Sequence, residues 1–229
     1  MRKPEKFIVL DTETANTRRV GRNLEIDSAL TYDVGWRVMD RAGRIYDEKS
    51  YAIRDVYINE REIMQSAFYK DKLPSYAEEI RNGERVLADF MEVFCDFRRT
   101  CKEFDVKAVC AHNARFDVTA LNATLRYLTK SKFRYFFPAN VEIWDSMKMA
   151  KDVICKMPTY RKFSEEFDTL TASGRVSAGA ENLYKYISNN PYYEEVHKGI
   201  DDVIIESAIV LYCFRQHKKM NKVLYPAKV

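Results

Sequence analysis

Acidic side chains at three places along the chain have the types and the spacing of a divalent-metal site. Asp11 and Glu13 follow the apolar residues 7–10 and are two positions apart, so in a strand their side chains point to the same face. Asp117 and Asp202 each stand at the predicted start of a helix. Convergent carboxylates repel one another unless cations neutralise them, and oxygen ligands suit Mg²⁺ or Mn²⁺. The four acids therefore predict a metal site if the fold brings them together.

A histidine lies close to the last of these acids. His197 stands five residues before Asp202, and an imidazole with an ordinary pKa of about 6.5 can take a proton from water near neutral pH. Of the other two histidines, His112 follows an apolar segment, and His217 lies among basic residues at a predicted helix end. We expect no functional role for His217.

Each segment also has an ordinary structural explanation. Acidic residues are common at the ends of strands, and Asp117 can serve only to favour the first turn of a helix. Asp201 and Asp202 can likewise begin the last helix, with His197 as a loop residue and His112 as a polar residue at a strand end. The functional interpretation depends on all three segments occurring in one chain, since each short motif alone carries a false-positive risk.

Length and composition favour one domain. The chain has 229 residues, 46% of them apolar, which suffices for one good core and would leave two separate cores small. We predict a single domain over residues 1–229. The 38 basic and 34 acidic residues give a net charge of +4, which permits a polyanionic partner without requiring one. The five cysteines form no CxxC pair, and no apolar run suits a signal peptide or a bilayer span, so we expect a cytoplasmic protein without membrane contact.

The elements that must position these residues begin with strands. Residues 7–10 and 32–39 are apolar enough for buried strands, and the polar, glycine-containing residues 40–44 predict a hairpin turn into a third strand near residues 45–53. Within residues 59–104, apolar residues recur at threes and fours, which predicts helix. That apolar stripe consists of Val86, Phe90, Val93, Phe94 and Phe97.

Strands and helices alternate in the second half of the chain. Residues 106–111 and 141–143 are predicted strands, and periodic apolar residues within 116–128, 180–187 and 201–214 predict helices. Residues 146–177 have no clear pattern, although Pro158, Ser173-Gly174 and the segment 177–179 indicate loops. Strands first and alternation afterwards predict an α/β fold in which helices flank a mixed central sheet.

The three motifs resemble those of a known nuclease family. Asp-Thr-Glu-Thr at residues 11–14, His-Asn-Ala-Arg-Phe-Asp at residues 112–117, and the H-x4-D spacing of His197 and Asp202 occur in the order found in DEDDh (DnaQ-like) 3′→5′ exonucleases. The resemblance extends over residues 7–214 and includes Trp144-Asp-Ser146, which is similar to an internal strand of that family. It implies the RNase H-like fold. The chain also resembles the proofreading exonuclease subunit of bacterial DNA polymerase III.

The resemblance implies a role for each residue of the site. Two divalent ions, Mg²⁺ or Mn²⁺, would bind, with Asp11 shared between them. Glu13 and Asp202 would hold one ion and Asp117 would help to hold the other, while His197 would act as the general base. The motif residues expected to contact the substrate are Thr12, Thr14, His112, Asn113 and Phe116.

The substrate implied by the resemblance is the 3′ end of single-stranded DNA or RNA. Basic residues predicted to contact its phosphates are Arg18, Arg19 and Arg22 after the first motif, and Lys130, Lys132 and Arg134 near the aromatic residues at positions 133–137. Basic residues interleaved with aromatic ones suit a strand whose bases stack while its phosphates are neutralised. The same aromatic residues can equally belong to the core, with the charges as a solvated rim.

Several alternatives stay open at the level of sequence. The choice between DNA and RNA depends on contacts to the 2′-hydroxyl that no motif reveals, so an RNA- or oligoribonucleotide-specific exonuclease is one alternative. A non-catalytic nucleic-acid-binding or polymerase-docking module is another. A DNA polymerase is a partner that the resemblance suggests, beside free-standing roles in repair, RNA processing or phage replication. The first motif lacks the frequent Thr-Thr-Gly continuation after Glu13, and the length of chain from Asp117 to His197 predicts an insertion within residues 146–180.

Overall fold

A mixed six-stranded sheet forms the centre of the protein. A computed structural model describes residues 4–20 and 23–225, without the side chains of residues 18–20 and 23–25. The strands are β1 (Lys6–Ala15), β2 (Arg18–Val20), β3 (Asn23–Glu25), β4 (Leu30–Asp40), β5 (Ile45–Ile53), β6 (Val86–Ala88), β7 (Ala108–Ala111) and β8 (Glu142–Asp145). The sheet order is β6-β5-β4-β1-β7-β8, and β2 and β3 form a separate ribbon. β4 pairs antiparallel with β1 and β5, whereas β6, β7 and β8 join in parallel.

Helices cover both faces of this sheet. They are α1 (Arg54–Tyr57), α2 (Arg61–Met64), α3 (Leu73–Asn82), α4 (Phe90–Glu103), α5 (Arg115–Thr129), α6 (Ser146–Val153), α7 (Pro158–Glu166), α8 (Ala180–Ile187) and α9 (Gly199–Arg215). Residues of α4 and α5 belong to one apolar core, and residues of α6 to α9 belong to a second. None of these described helices is both long and apolar enough to cross a bilayer.

The alternation of side chains along β1 separates the two cores. Ile8 belongs to the core of α4 and α5, whereas Phe7 and Val9 belong to the core of α9. Because every second side chain of a strand points to the same face, Asp11 and Glu13 continue the row of Phe7 and Val9. The strand that forms the core on this side therefore also supplies two acidic side chains facing α9.

The predicted α/β fold with a mixed sheet is confirmed, and most predicted elements are present. The strand predicted over residues 32–39 lies within β4, the one over 141–143 overlaps β8, and the helix over 180–187 is α8. The hairpin predicted at residues 40–44 joins β4 to β5. There Gly43 has φ 92° and donates its N–H to the Asp40 carbonyl at 3.0 Å. Glycine suits this turn because other residues rarely adopt such a φ.

The helix predicted within residues 59–104 is wrong in its central part. Val86 does not begin a helical stripe but lies in β6, where it pairs with Tyr51 of β5. The helix begins at Phe90, after Asp89, whose backbone N–H donates to the Glu92 carboxylate at 3.0 Å as in a capping box. Spacing by threes and fours did not reveal the strand, because its pairing partner lies more than thirty residues earlier in the chain.

Two other boundaries differ from the prediction. β1 does not end before Asp11 but continues to Ala15, because β4 pairs with it as far as Leu30. Pro158 begins α7 instead of a loop, since proline is favoured at the first helical position. The unassigned stretch therefore holds α6 and α7, joined by a short turn at residues 154–157, and its longer loop spans residues 167–179. The single domain and the insertion within residues 146–180 stay predictions.

Candidate active site

Asp11 and Glu13 project from β1 beyond the point where its parallel neighbour ends. β7 pairs only with residues 7–9 of β1, so the following residues have a free side towards α5 and α9. Glu13 is buried and Asp11 is partly exposed. β1 therefore places two carboxylates in a cleft next to the carboxyl ends of β7 and β8, where ligands commonly bind in α/β sheets.

Two glycines allow α9 to lie directly against the sheet beside Asp11. Gly35 of β4 is the register partner of Asp11, and a Cβ atom there would lie 2.6 Å from the backbone nitrogen of Ile200. A Cβ atom on Gly199 would lie 2.9 Å from the backbone nitrogen of Gly35. Close-packed backbone cannot accept such contacts, so both positions require glycine. This approach carries Asp202, in the first turn of α9, to β1.

The carboxylates identified from the sequence converge on one pocket. Carboxylate oxygens of Asp11, Glu13 and Asp202 lie within 4.8 Å of one another. Asp117 comes from the first turn of α5, where it accepts a hydrogen bond of 2.9 Å from the Thr12 hydroxyl. All four acids line a pocket of about 310 Å³. We refer to these four acids as the unpaired cluster, because no Lys or Arg is present among the described residues that line the pocket.

Burial and mutual repulsion raise the pKa values in the unpaired cluster. Burial, with the nearby charge of Asp202, raises the pKa of Glu13 to about 9. Burial raises the pKa of Asp202 to about 8 and that of Asp117 to about 7, and it raises the pKa of Asp11 well above the usual range. Oδ1 of Asp202 has no hydrogen-bond partner among the described residues. This set of oxygen donors without a counter-charge fits divalent cations, which would supply the missing positive charge.

His197 is held beside the acids by a ring stack. Its imidazole lies on the Tyr69 ring, with centroids 4.0 Å apart and planes at 8°. Its Nδ1 lies 3.8 Å from Oε2 of Glu195, and Glu181 joins these two residues in a second group whose ligand atoms lie within 4.8 Å. Burial lowers the pKa of His197, so the imidazole is neutral at pH 7. The neutral ring lines the same pocket as Asp202.

A buried network of ion pairs anchors the start of α9, and it was not predicted from the sequence. Asp33 of β4 forms an ion pair with Arg85 and accepts the Gly199 N–H at 3.2 Å. Arg85 also pairs with Glu79 at 2.9 Å, and Glu79 pairs with Lys198. We call Asp33, Glu79, Arg85 and Lys198 the paired network. The sequence feature that could have indicated this network is Asp33, a charged residue within an apolar strand. A buried charge requires a partner of opposite charge.

Solved structures that superimpose on this chain include several nucleases. No family model and no curated protein sequence matches the chain. A 3′-exonuclease that recognises the 3′ end of a histone mRNA stem-loop superimposes with a TM-score of 0.57 at 11% identity, covering 96% of this chain and 86% of that one. The nuclease domain of 3′hExo, a DEDDh family member bound to rAMP, gives 0.54 at 11% identity, with 96% and 98% covered. The E. coli ExoI–ssDNA complex in its zinc-bound form gives 0.53 at 14% identity, with 94% of this chain and 42% of that one covered.

The chain has the RNase H-like fold of DEDDh exonucleases. The superpositions cover nearly all of this chain, and the mixed sheet with helices on both faces is common to it and to the nuclease domain of 3′hExo. The fold that the three motifs implied is therefore confirmed. It also explains why the motifs come together, since the first lies in the C-terminal half of β1 and the other two lead into α5 and α9.

His112, predicted to contact substrate, has both ring nitrogens bonded within the protein. Nε2 lies 2.7 Å from the Ala178 carbonyl, and Nδ1 lies 2.8 Å from the Ser146 hydroxyl. Because a carbonyl oxygen only accepts, Nε2 carries the proton and Ser146 donates to Nδ1. Burial lowers the pKa of His112, which agrees with a neutral ring. His112 lines the pocket while it holds the loop that precedes α8.

The pocket contains both predicted and unpredicted residues. The other predicted substrate contacts all line it: Thr12, Thr14, Asn113 and Phe116. Lining residues that were not predicted are Thr17, Phe68, Tyr69, Ala180, Glu195 and Glu206. Phe68 is 70% exposed, and its ring packs edge-on against Tyr69 with centroids 4.9 Å apart. These two rings belong to a segment without a motif, between α2 and α3, and only tertiary contacts bring it to β1.

The basic groups predicted to contact phosphates lie apart from the pocket or outside the described structure. Arg22 lies outside the described residues, as do the side chains of Arg18 and Arg19. In the other group, Phe136 is buried in the core, whereas Phe133 is 89% exposed. That segment follows the C-terminal end of α5, about 18 Å along the helix from Asp117. Phosphate contacts by Lys130, Lys132 and Arg134 stay a prediction.

Proposed function

We propose that the protein is a metal-dependent 3′→5′ exonuclease that releases nucleoside 5′-monophosphates from single-stranded DNA or RNA. The observation that carries this proposal is the convergence of three carboxylates from β1 and α9 within 4.8 Å, in a pocket without a described cationic side chain. The comparisons support it, because proteins with the same fold include a 3′-exonuclease and an ExoI–ssDNA complex. Paired divalent ions held by carboxylates are a recurrent solution for cleaving phosphodiesters.

The four acids of the unpaired cluster are the proposed metal ligands. Asp11, Glu13 and Asp202 would hold one divalent ion, Mg²⁺ or Mn²⁺, and Asp11 and Asp117 would hold a second. Bound divalent ions would activate a water molecule and stabilise the charge on the attacking and leaving oxygens of the phosphate. The hydrogen bond from Thr12 keeps the Asp117 carboxylate in a fixed orientation. The DTET segment therefore contributes two ligands and also orients a third.

His197 is the proposed general base. Its ring is neutral at pH 7 because burial lowers its pKa, and a neutral imidazole can accept a proton from the attacking water. Since Nδ1 lies beside Glu195, Nε2 is the nitrogen left to accept that proton. The stack on Tyr69 restricts rotation of the ring. Glu195 would then stabilise the protonated imidazole until the proton leaves the site.

The aromatic residues of the pocket suit the terminal nucleotide. Phe68 and Phe116 line it together with the hydroxyl groups of Thr12 and Thr14. An exposed ring such as that of Phe68 offers a stacking surface for a base of any sequence. A pocket of about 310 Å³ is at the small end of the range for ligand sites, which favours one nucleotide over a longer segment.

The proposal is tested by following 5′-labelled DNA and RNA strands of equal sequence with Mg²⁺, Mn²⁺ or EDTA. We expect a ladder that shortens from the 3′ end, requires the metal and is absent with Asp11→Asn. A circular single strand of DNA is the matched control, because it has no 3′ end and must stay intact unless the enzyme cuts internally. The two linear strands also identify the preferred sugar, which decides between the general and the RNA-specific enzyme.

The contrary result is equally specific. If neither linear strand shortens with any metal although the protein binds both, the protein is a nucleic-acid-binding module that uses the nuclease fold. The comparisons give no support to a DNA polymerase as partner, and the proposal does not include one.

A further inference from the structure

Glu206 is a buried carboxylate of the pocket that the proposed mechanism does not use. It lies four residues after Asp202 in α9, so the two side chains share one face of the helix. It lines the pocket with Asp11 and Asp202, yet the residue is only 3% exposed. Its Oε2 atom has no hydrogen-bond partner among the described residues. An ionisable side chain therefore faces the unpaired cluster with one oxygen free.

The described charges that act most strongly on Glu206 are acidic. Asp117 and Asp202 are the two that act on it most strongly, and Glu206 in turn is the charge that acts most strongly on Asp11. The favourable polar group near its carboxylate is the backbone N–H of His112. A single N–H does not offset the cost of burying a charge among like charges. A cation inside the pocket would offset this cost.

The rest of this helix face is apolar. Val203, Ile209 and Val210 of α9 belong to the core beneath the sheet. A leucine at position 206 would pack against this surface without any electrostatic cost. The carboxylate is thus the feature of Glu206 that packing does not explain.

We propose that Glu206 is a fifth carboxylate of the metal centre, which strengthens the binding of divalent cations on the side of Asp11 and Asp117. The inference rests on the proposed function, since it requires a metal ion in this pocket. Glu206 is not part of the group of carboxylates within 4.8 Å that Asp11, Glu13 and Asp202 form. Glu206 therefore contributes a negative charge and a carboxylate oxygen that is free to accept, both beside Asp117. Removing either one weakens the binding of divalent cations.

The test measures Mn²⁺ binding by calorimetry on the full chain, for the wild type, Glu206→Gln and Glu194→Gln. Glutamine keeps the size of the side chain and an acceptor for the His112 N–H. Glu194 is exposed in the loop before α9, so its variant removes the same charge outside the pocket. We expect Glu206→Gln to bind Mn²⁺ about 10-fold more weakly or worse, the usual effect of losing a supporting group of a metal site. Glu194→Gln should bind like the wild type.

A second readout does not depend on metal. In EDTA, Glu206→Gln should melt at a higher temperature than the wild type, because it removes a buried charge from an acidic pocket. If the variant instead melts lower and binds Mn²⁺ as tightly as the wild type, the carboxyl group is structural and the inference is wrong. Glu206→Leu is the second variant if Glu206→Gln does not fold, with the same expected loss of affinity. A wild type that binds no Mn²⁺ would overturn the proposed function as well, so the two failures are distinguishable.

Discussion

Two groups of buried charged residues meet at the start of α9, and they differ in how their charge is balanced. In the paired network, the guanidinium of Arg85 is 1% exposed and lies between Asp33 and Glu79. In the unpaired cluster, four acids face one another, and the described part of the pocket contains no cationic side chain. At the start of α9, the acids of the paired network are therefore neutralised by basic residues of the chain, whereas the acids of the unpaired cluster are not.

The difference separates structural charges from charges available for chemistry. A buried ion pair completes its own bonding and leaves nothing for a ligand, so the paired network serves to hold α9 against β4. An acidic cluster without counter-charges is unfavourable until a cation binds, and the binding free energy of that cation then stabilises the fold. The paired network holds the start of α9 where Gly199 contacts Gly35. That contact in turn places Asp202 beside the acids of β1.

Arg85→Met is expected to have the largest effect on stability. It leaves Asp33 as an unpaired charge in the core, which costs about 3–5 kcal/mol of unfolding free energy. Urea unfolding in EDTA measures this change. Arg161→Met is the matched control, because Arg161 pairs with Glu165 on the surface and should cost about 1 kcal/mol or less. Equal losses for the two variants would mean that the paired network does not anchor the helix.

Asp11→Asn should have the opposite effects on stability and activity. The exonuclease rate should fall about 100-fold or more, because an electrostatic group at the reacting centre is lost. In EDTA the variant should be more stable than the wild type by about 1 kcal/mol, since the buried aspartate must either bear a repelled charge or take up a proton on folding, and asparagine does neither. Asp168→Asn, at an exposed loop position, controls for the change of charge. A loss of stability in EDTA would show that Asp11 has a structural partner.

The stability of the metal-free protein should fall as the pH rises. The pKa values of Glu13, Asp202 and Asp117 are raised in the folded state, to about 9, 8 and 7, so the folded protein binds more protons than the unfolded chain above about pH 5. The stability from these protonated acids is present at low pH and is lost as the pH rises towards 9.

Melting curves test this dependence. In EDTA the melting temperature at pH 8.5 should be lower than at pH 6 by about 5 °C or more, and saturating Mg²⁺ should reduce the difference. Asp11→Asn should also flatten the dependence in EDTA. A melting temperature that rises with pH in EDTA would contradict the view that the cluster is unpaired.

Glu79→Gln is expected to have the smallest effect. Glu79 pairs with both Arg85 and Lys198, and glutamine keeps a polar acceptor for these two partners, so the variant loses about 1 kcal/mol of stability. Burial raises the pKa of Glu79, but the hydrogen bonds from Lys198 and Arg85 outweigh this effect, so the pKa of Glu79 is lowered. Metal affinity should stay that of the wild type, measured by the same Mn²⁺ titration. A weaker affinity would mean that the two charged groups are coupled through Lys198 and His197.

The sequence by itself determined the elements and the residues with chemical potential. Alternating and helical spacing located most of β4, α5, α8 and α9, because these patterns depend on neighbours in the chain. The motifs singled out Asp11, Glu13, Asp117, His197 and Asp202, all of which line one pocket. Their catalytic and metal-binding roles stay predictions until the experiments above are made.

Only the tertiary structure decided which charges have partners and which do not. Asp33 meets Arg85 across 52 residues and the Gly199 N–H across 166, and no local pattern relates such distant positions. No local pattern predicts that Tyr69 stacks on His197 or that Glu206 lies near Asp11 either. Charge balance in a buried site depends on every side chain that reaches it, and packing determines that set. The residue types are therefore readable from the sequence, whereas their electrostatic state is a property of the fold.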